Sequence, residues 1–330
     1  MVKRRDALVL GLAALAARTL PPAAALAQSR FPERPIRLVI PFPPGGSFDA
    51  VGRSLADKLK PLLGTVVIEN IGGGGSSLGA AAVARAQPDG YTILLGGGGA
   101  LVVNPVASSR PPYDPIKDFA PISLVVVHAF ALAVHPSLPV RSARELADYA
   151  RANPGKLSYG SAGVGSVNHL TAELFKSLTG MADIVHVPYR GAGPALQDLI
   201  SGQIPFAVPS MNGQVLELHR TGKLRIVAVT SPERLPGAPE IPTAVEGGIP
   251  GMVSQNLVGL WAPAGTPKPI IAQIAQAMRT AMADPKYQQQ LIAFGFELPP
   301  DLGPERLARI VEDEIARWTP VIRSIGLKLD

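Results

Sequence analysis

Nine short apolar runs, at residues 36–40, 66–69, 92–95, 123–127, 157–159, 184–187, 204–208, 225–230 and 257–261, punctuate the chain. Segments of helical periodicity lie between many of them, at 50–62, 78–86, 143–152, 167–178, 194–201 and 214–220. A short strand that is apolar along its length has to be covered on both faces, and intervening helices supply that cover. The pattern predicts an α/β fold of parallel βαβ units with helices on both sides of the sheets. The last third changes character. There, 267–282, 285–293 and 304–325 read as helices, each with proline at or near its first position, where the missing N–H would have had no partner anyway.

With 330 residues, 47% of them apolar and 17% charged, the chain has a globular composition and enough length for two cores. Its start is set apart. Lys3, Arg4 and Arg5 precede an apolar run over 7–17, and Ala25-Leu26-Ala27 offers a small-x-small cleavage site. This predicts a cleavable secretory signal over residues 1–27, since the run is far shorter than the roughly 20 residues of a membrane span. The Arg4-Arg5 pair is compatible with twin-arginine export. Cleavage would remove four basic residues and one acidic, halving the formal net charge of +6. No basic stripe is interleaved with aromatics, which argues against a nucleic-acid partner. The chain has no cysteine. That excludes disulfides, thiol chemistry and a lipoprotein anchor, and behind a secretory signal it fits the bacterial periplasm. With no long linker, two domains must meet at short crossings, near 125–133 and 251–258. A first domain of 28–128 plus 255–330 would then carry an inserted second domain of 129–254 on a two-strand hinge.

The first apolar run breaks into Pro41-Phe42-Pro43-Pro44-Gly45-Gly46-Ser47-Phe48-Asp49 and then into a helix beginning near Ala50. Paired glycines let main chain approach a ligand, Ser47 or Asp49 is placed to cap the helix, and its N–H groups then face the loop as an anion site. The same grammar returns where Lys156-Leu157-Ser158-Tyr159 leads into Gly160-Ser161-Ala162-Gly163-Val164-Gly165-Ser166 and a helix from Val167. Two such sites predict a ligand gripped from two sides. Gly72-Gly73-Gly74-Gly75 and Gly96-Gly97-Gly98-Gly99 lack the Lys-Ser/Thr pair of a P-loop, and no dinucleotide fingerprint opens a helix. Those tetrads read as tight turns or as space kept for a ligand.

Tyr159-Gly160-Ser161-Ala162-Gly163 resembles a nucleophile elbow but lacks its first glycine. His169 stands nearby as a base without a supporting acid. His128, His135, His186 and His219 show no metal-ligand spacing, and no carboxylate pair stands out for acid–base work. Main-chain donors and small hydroxyls remain: Ser47, Ser76, Ser77, Ser161, Ser166 and Ser210. Such groups suit holding a carboxylate better than transforming it.

Several motifs occur in order over nearly the whole mature chain: the loop from Pro41 to Asp49, Glu69-Asn70-Ile71-Gly72-Gly73-Gly74-Gly75, Pro88-Asp89-Gly90-Tyr91-Thr92, Tyr113-Asp114-Pro115, Asn153-Pro154-Gly155-Lys156-Leu157, His186-Val187-Pro188-Tyr189-Arg190-Gly191 and Ala262-Pro263-Ala264-Gly265-Thr266-Pro267. Together they resemble the Bug family, the extracytoplasmic solute receptors of tripartite tricarboxylate transporters. The resemblance implies a type II, Venus-flytrap periplasmic binding protein of two domains, without cofactor or catalysis. A small carboxylic acid would sit in the interdomain cleft and pass to a cognate membrane permease, with the receptor a monomer. Carried over by motif, the ligand-binding positions are Phe42, Pro44, Gly45, Gly46, Ser47 and Asp49 on one loop and Ser161, Gly165, Ser166 and His169 on the other. Gly97 and Ser210 complete the set. Ser210 stands where many relatives have Asp, which removes a partner for a ligand ammonium and favours a carboxylate without a nearby cation. Two alternatives stay open: a secreted serine hydrolase using Ser161 and His169, and a ligand sensor for a signalling partner.

Overall fold

A computed structural model describes residues 31–181 and 183–329; the expected signal segment and its cleavage site lie outside the described residues. The first run forms strand β1 (Ile36–Ile40), with Ile36, Leu38, Val39 and Ile40 fully buried. Helix α1 (Ser47–Leu63) follows. Val51, Leu55, Leu59 and Leu63 recur every fourth residue and are buried, so one stripe of α1 packs on the sheet while its other faces meet solvent. Gly64 ends it at φ +69°. Then come β2 (Val66–Asn70), α2 (Ser77–Ala84) and β3 (Thr92–Gly97). Gly99–Val103 coils as a π-turn that runs into the short helix α3 (Asn104–Ala107).

Strand β4 (Phe119–Ala129) ends one residue before β5 (Ala131–Val134) begins, and here the chain passes from one sheet to another. The second sheet is built with α4 (Ala143–Ala152), β6 (Ser158–Ser161), α5 (Val167–Thr179), β7 (Val185–Pro188), α6 (Ala192–Ser201), β8 (Phe206–Ala207), α7 (Gly213–Arg220) and β9 (Arg225–Val229). Strand β10 (Gln255–Pro263) returns to the first sheet, and α8 (Lys268–Met282), α9 (Pro285–Ala293) and α10 (Pro304–Ser324) close the fold. No described helix is long and apolar enough to cross a membrane.

The sheets run β2-β1-β3-β10-β4 and β7-β6-β8-β5-β9. Each has a parallel trio, with β1 beside β2 and β3, and β6 beside β7 and β8. The all-parallel expectation fails at two strands. β10 is antiparallel to both β3 and β4, and β5 is antiparallel to both β8 and β9. The cause is the crossing itself: a strand that arrives from the other sheet enters from the far end and runs the other way.

Hydroxyl groups lock the crossing segments together. The Phe130 amide donates to Thr230 Oγ1 at 2.9 Å, Thr230 Oγ1 donates to the Ser254 carbonyl at 2.6 Å, and Ser254 Oγ lies 2.7 Å from Thr171 Oγ1 on α5. All three hydroxyl residues are fully buried. One apolar core extends through both sheets, from Leu94, Leu101 and Trp261 to Leu132, Leu146 and Phe175. A second packs α6 and α7 against β9 through Leu199, Val215 and Ile226.

Candidate functional site

The loop between β1 and α1 is held by Asp49. Its Oδ2 accepts the Gly45 amide at 3.0 Å and Arg53 Nε at 2.9 Å, and its Oδ1 accepts Asn70 Nδ2 at 3.0 Å. Asn70 also donates to the Phe42 carbonyl at 3.1 Å. Burial pushes the Asp49 carboxyl up, but the bonds from Arg53, Gly45 and Asn70 outweigh it and hold the group below the usual carboxylate range. Asp49 is thus a brace whose oxygens are engaged within the loop. Capping differs from expectation. Gly46 is the N-cap, without a side-chain bond, and Ser47 lies inside the first turn. Gly45 sits at φ +89°, which glycine adopts without strain, while Pro44, Gly45 and Gly46 are exposed. Phe42 packs against Phe48 with ring centroids 4.6 Å apart and the rings tilted by 37°.

The second loop joins β6 to α5. Ser166 is its N-cap: the hydroxyl accepts the His169 amide at 3.2 Å and donates to the Gly163 carbonyl at 2.7 Å. Gly163 and Gly165 stand at φ +122° and +77°. A helix leaves its first N–H groups without intrahelical acceptors, so those of Val167 and Asn168 point out of this end. Asn168 Nδ2 is committed to the Val208 carbonyl at 2.7 Å.

Behind the loop lies a stack of rings. His169 and His186 are 4.1 Å apart and 13° from parallel, and Tyr159 stacks on His186 at 4.8 Å. Tyr159 donates to Glu173 Oε1 at 2.6 Å, and Lys176 Nζ donates to the same oxygen at 2.8 Å. Ser161 Oγ lies 2.7 Å from His186 Nε2, whereas His169 Nδ1 accepts the Gly165 amide at 3.3 Å. The Ser161–His169 pair of the hydrolase alternative is therefore not formed. Each residue has another partner, and Glu173 is occupied by Tyr159 and Lys176. A nucleophile needs a base that is itself oriented by an acid, and this stack instead positions the loop.

Both loops converge on the turn after β3. A Cβ on Gly97 would fall 2.5 Å from the Phe48 ring, and one on Gly98 would fall 3.3 Å from Val167 Cγ2. Phe48 is the second residue of α1 and Val167 the first of α5, so the two helix starts meet at Gly97-Gly98. The Gly98 amide donates to Asn256 Oδ1 at 2.9 Å. Ser210 is farther round, bridged antiparallel to Phe130 at the crossing. Sequence reasoning placed the two loops and Gly97 together but missed Phe48, Gly98, Asn256 and His186. His128, which shows no metal-ligand spacing in the sequence, is the one ionisable side chain of β4.

Burial holds the His128 imidazole down at about 4. Burial, and then the neighbouring His169, hold His186 at about 4 as well. Unfolded histidine titrates near 6.5, so below that pH the unfolded chain binds more protons and stability falls with pH. The contribution is complete above about 6.5 and is lost progressively towards about 4. His128 alone should remove about 2 kcal/mol between pH 7 and pH 5. Urea unfolding at the two pH values checks this; equal stabilities would show that these rings are not held neutral.

A family model described as a tripartite tricarboxylate transporter family receptor matches residues 51–327. Among solved structures, the periplasmic binding protein BugD is 36% identical, with a TM-score of 0.82 and coverage of 90% of this chain and 99% of that one. MatC from Rhodopseudomonas palustris, with bound malate, is 34% identical at a TM-score of 0.81, covering 88% of this chain and 100% of the other. R. palustris Rpa4515, with adipate, is also 34% identical, at a TM-score of 0.83 over 90% and 99%.

Proposed function

The chain belongs to the tripartite tricarboxylate transporter receptor family, whose members are periplasmic binding proteins, and on that premise we propose that it captures a small carboxylate and delivers it to a cognate membrane permease. The observation that carries this reading is the meeting of two helix N-termini at Gly97-Gly98, with the loop side chains already engaged in building the loops. Main-chain N–H groups remain as the ligand's donors. Each helix end contributes about 0.3–1 kcal/mol to a bound anion, up to about 2 when partly buried. Hydrogen bonds to a charged group add about 1.5–3 kcal/mol each, so micromolar affinity, about 8 kcal/mol, is within reach. The malate of MatC and the adipate of Rpa4515 support a carboxylate. In this reading the protein is a monomer without catalytic activity, and residues 28–128 with 255–330 hinge against 129–254.

A thermal-shift screen of carboxylic acids tests it. Ligand at a hundred times its Kd should add about 2.7 kcal/mol of stability; a screen in which no carboxylate shifts the transition would refute the reading. With Ser210 in place of an acid, an amino acid should bind more weakly than its deaminated analogue. Calorimetry showing the reverse order would remove that part of the proposal.

A further inference from the structure

His128 is 1% exposed, and neither ring nitrogen makes a well-formed hydrogen bond, the adjacent Ala129 backbone being the one polar group that acts on the ring. It sits on β4 directly opposite Asn256 of β10, and opposed residues of an antiparallel pair project to the same face. That face is the one the jaws meet. Asn256 holds the Gly98 amide, and Gly98 is the residue against which Val167 of α5 packs. From the other jaw, the Phe48 ring approaches His128 edge-on, with centroids 6.5 Å apart at 83°. Phe130 and Phe296 flank it at 5.5 and 5.9 Å. The imidazole thus lies beneath the point where both helix starts converge.

The polar side chains of the two loops, and Asn256 opposite His128, have work within the protein: Asp49 braces the first loop, Ser161 and Ser166 the second, Asn168 holds Val208, and Asn256 holds Gly98. His128 does not. A buried polar group without a partner is unfavourable, and natural proteins rarely leave one without a reason. A neutral imidazole offers one donor and one acceptor, the complement of a hydroxyl. Its phenyl neighbours carry no counter-charge, so a second ionised carboxylate placed here would be desolvated without compensation. Burial keeps the ring neutral, in agreement with this.

Resting on the receptor reading above, we propose that His128 is a specificity-determining residue that hydrogen-bonds an uncharged hydroxyl or carbonyl on the body of a carboxylic acid whose carboxylate is held at the helix ends. The receptor would select oxygenated acids over their deoxygenated parents.

Calorimetry on the full receptor with matched probes tests this: lactate and propionate, malate and succinate, 3-hydroxybenzoate and benzoate, 4-hydroxyphenylacetate and phenylacetate. In at least one pair the hydroxylated acid should bind about tenfold tighter or more, one hydrogen bond's worth. His128→Phe should level that pair while the parent acid keeps its affinity to within about threefold. His128→Leu serves the same end should phenylalanine overpack the site. In the unmodified protein, the imidazole 15N resonances of His128 should shift with the hydroxylated acid and not with its parent. A preference that survives both variants, or no preference in any pair while carboxylates bind, overturns the assignment to His128 alone. If no carboxylate binds at all, the receptor reading falls, and this inference with it.

Discussion

Gly46→Val is expected to weaken ligand binding by more than about 100-fold, the loss of two charge-assisted hydrogen bonds, while the protein still unfolds cooperatively. A Cβ at this position meets no heavy atom within 4 Å, and the backbone is extended at φ −88° and ψ 176°, which a β-branched residue accepts readily. The fold therefore has little to lose. Valine is a poorer N-cap than glycine, by about 1 kcal/mol at most. The branched side chain would stand over the loop in the direction from which an anion reaches the first N–H groups of α1. Calorimetry beside a urea titration separates the two effects. Unchanged affinity would show that this loop's backbone does not hold the ligand, and the two-jaw reading would fail on one side.

Gly97→Ala should act on the fold instead, lowering stability by about 3 kcal/mol or more, at or beyond the upper range of core overpacking. Its Cβ would lie 2.5 Å from the Leu257 carbonyl oxygen as well as from the Phe48 ring. A flexible side chain can yield, but the Leu257 carbonyl is main chain of β10, where Leu257 pairs with Val127 of β4 and the next residue, Val258, pairs with Gly97 itself. Relief requires moving β3 away from β10 or tilting α1, and either disturbs the apolar core. Gly96→Ala is the control. There the closest atom is Leu94 Cδ2 at 2.9 Å, the end of a side chain that can turn aside, so a loss of about 1.5 kcal/mol or less is expected. Equal losses in the two variants, read by urea unfolding, would mean that the Leu257 contact is not what demands glycine at 97.

Much of the element pattern was legible because burial and periodicity are local properties. The runs at 36–40, 143–152 and 285–293 became β1, α4 and α9 with the expected ends: prolines flank β1, Ser142 and Asn153 flank α4, and Asp284 caps α9 with Pro285 as its first residue. The errors arose where the deciding cause was remote. Ala129 through Val134 is one unbroken apolar stretch, so within the crossing expected near 125–133 its composition does not mark Phe130 as the break between β4 and β5, and none of the nine runs corresponds to β5. Strand direction is equally silent, because β10 has the same two-sided burial as its parallel neighbours. Glycines 96–99 read as a tight turn or as space kept for a ligand, and neither reading shows that the chain from Gly99 onward coils, with the following apolar residues buried beside α2 and α10. At the site, backbone loops were readable from glycine and serine spacing. Partnerships were not: Ser161 and His186 lie 25 residues apart and meet because β6 and β7 are parallel neighbours. One signal was available. A single histidine within the apolar run ending at Ala129 asks what its nitrogens do, and the partner strand shows which way they face.

The placement of β10 between β3 and β4 also fixes an order of assembly. Three of that sheet's strands and α1 are complete in sequence before residue 100, but the strand that joins β3 to β4 is not made until residues 255–263. Until then β4 stands apart from the β2-β1-β3 trio, the two parts without a common hydrogen-bond ladder. The second sheet, by contrast, has all its strands between residues 131 and 229. The half of the protein synthesised first is therefore the half finished last. A growing chain with that wiring cannot complete its opening sheet until residues 255–263 have been made, although every strand of its second sheet is present from residue 229 onward.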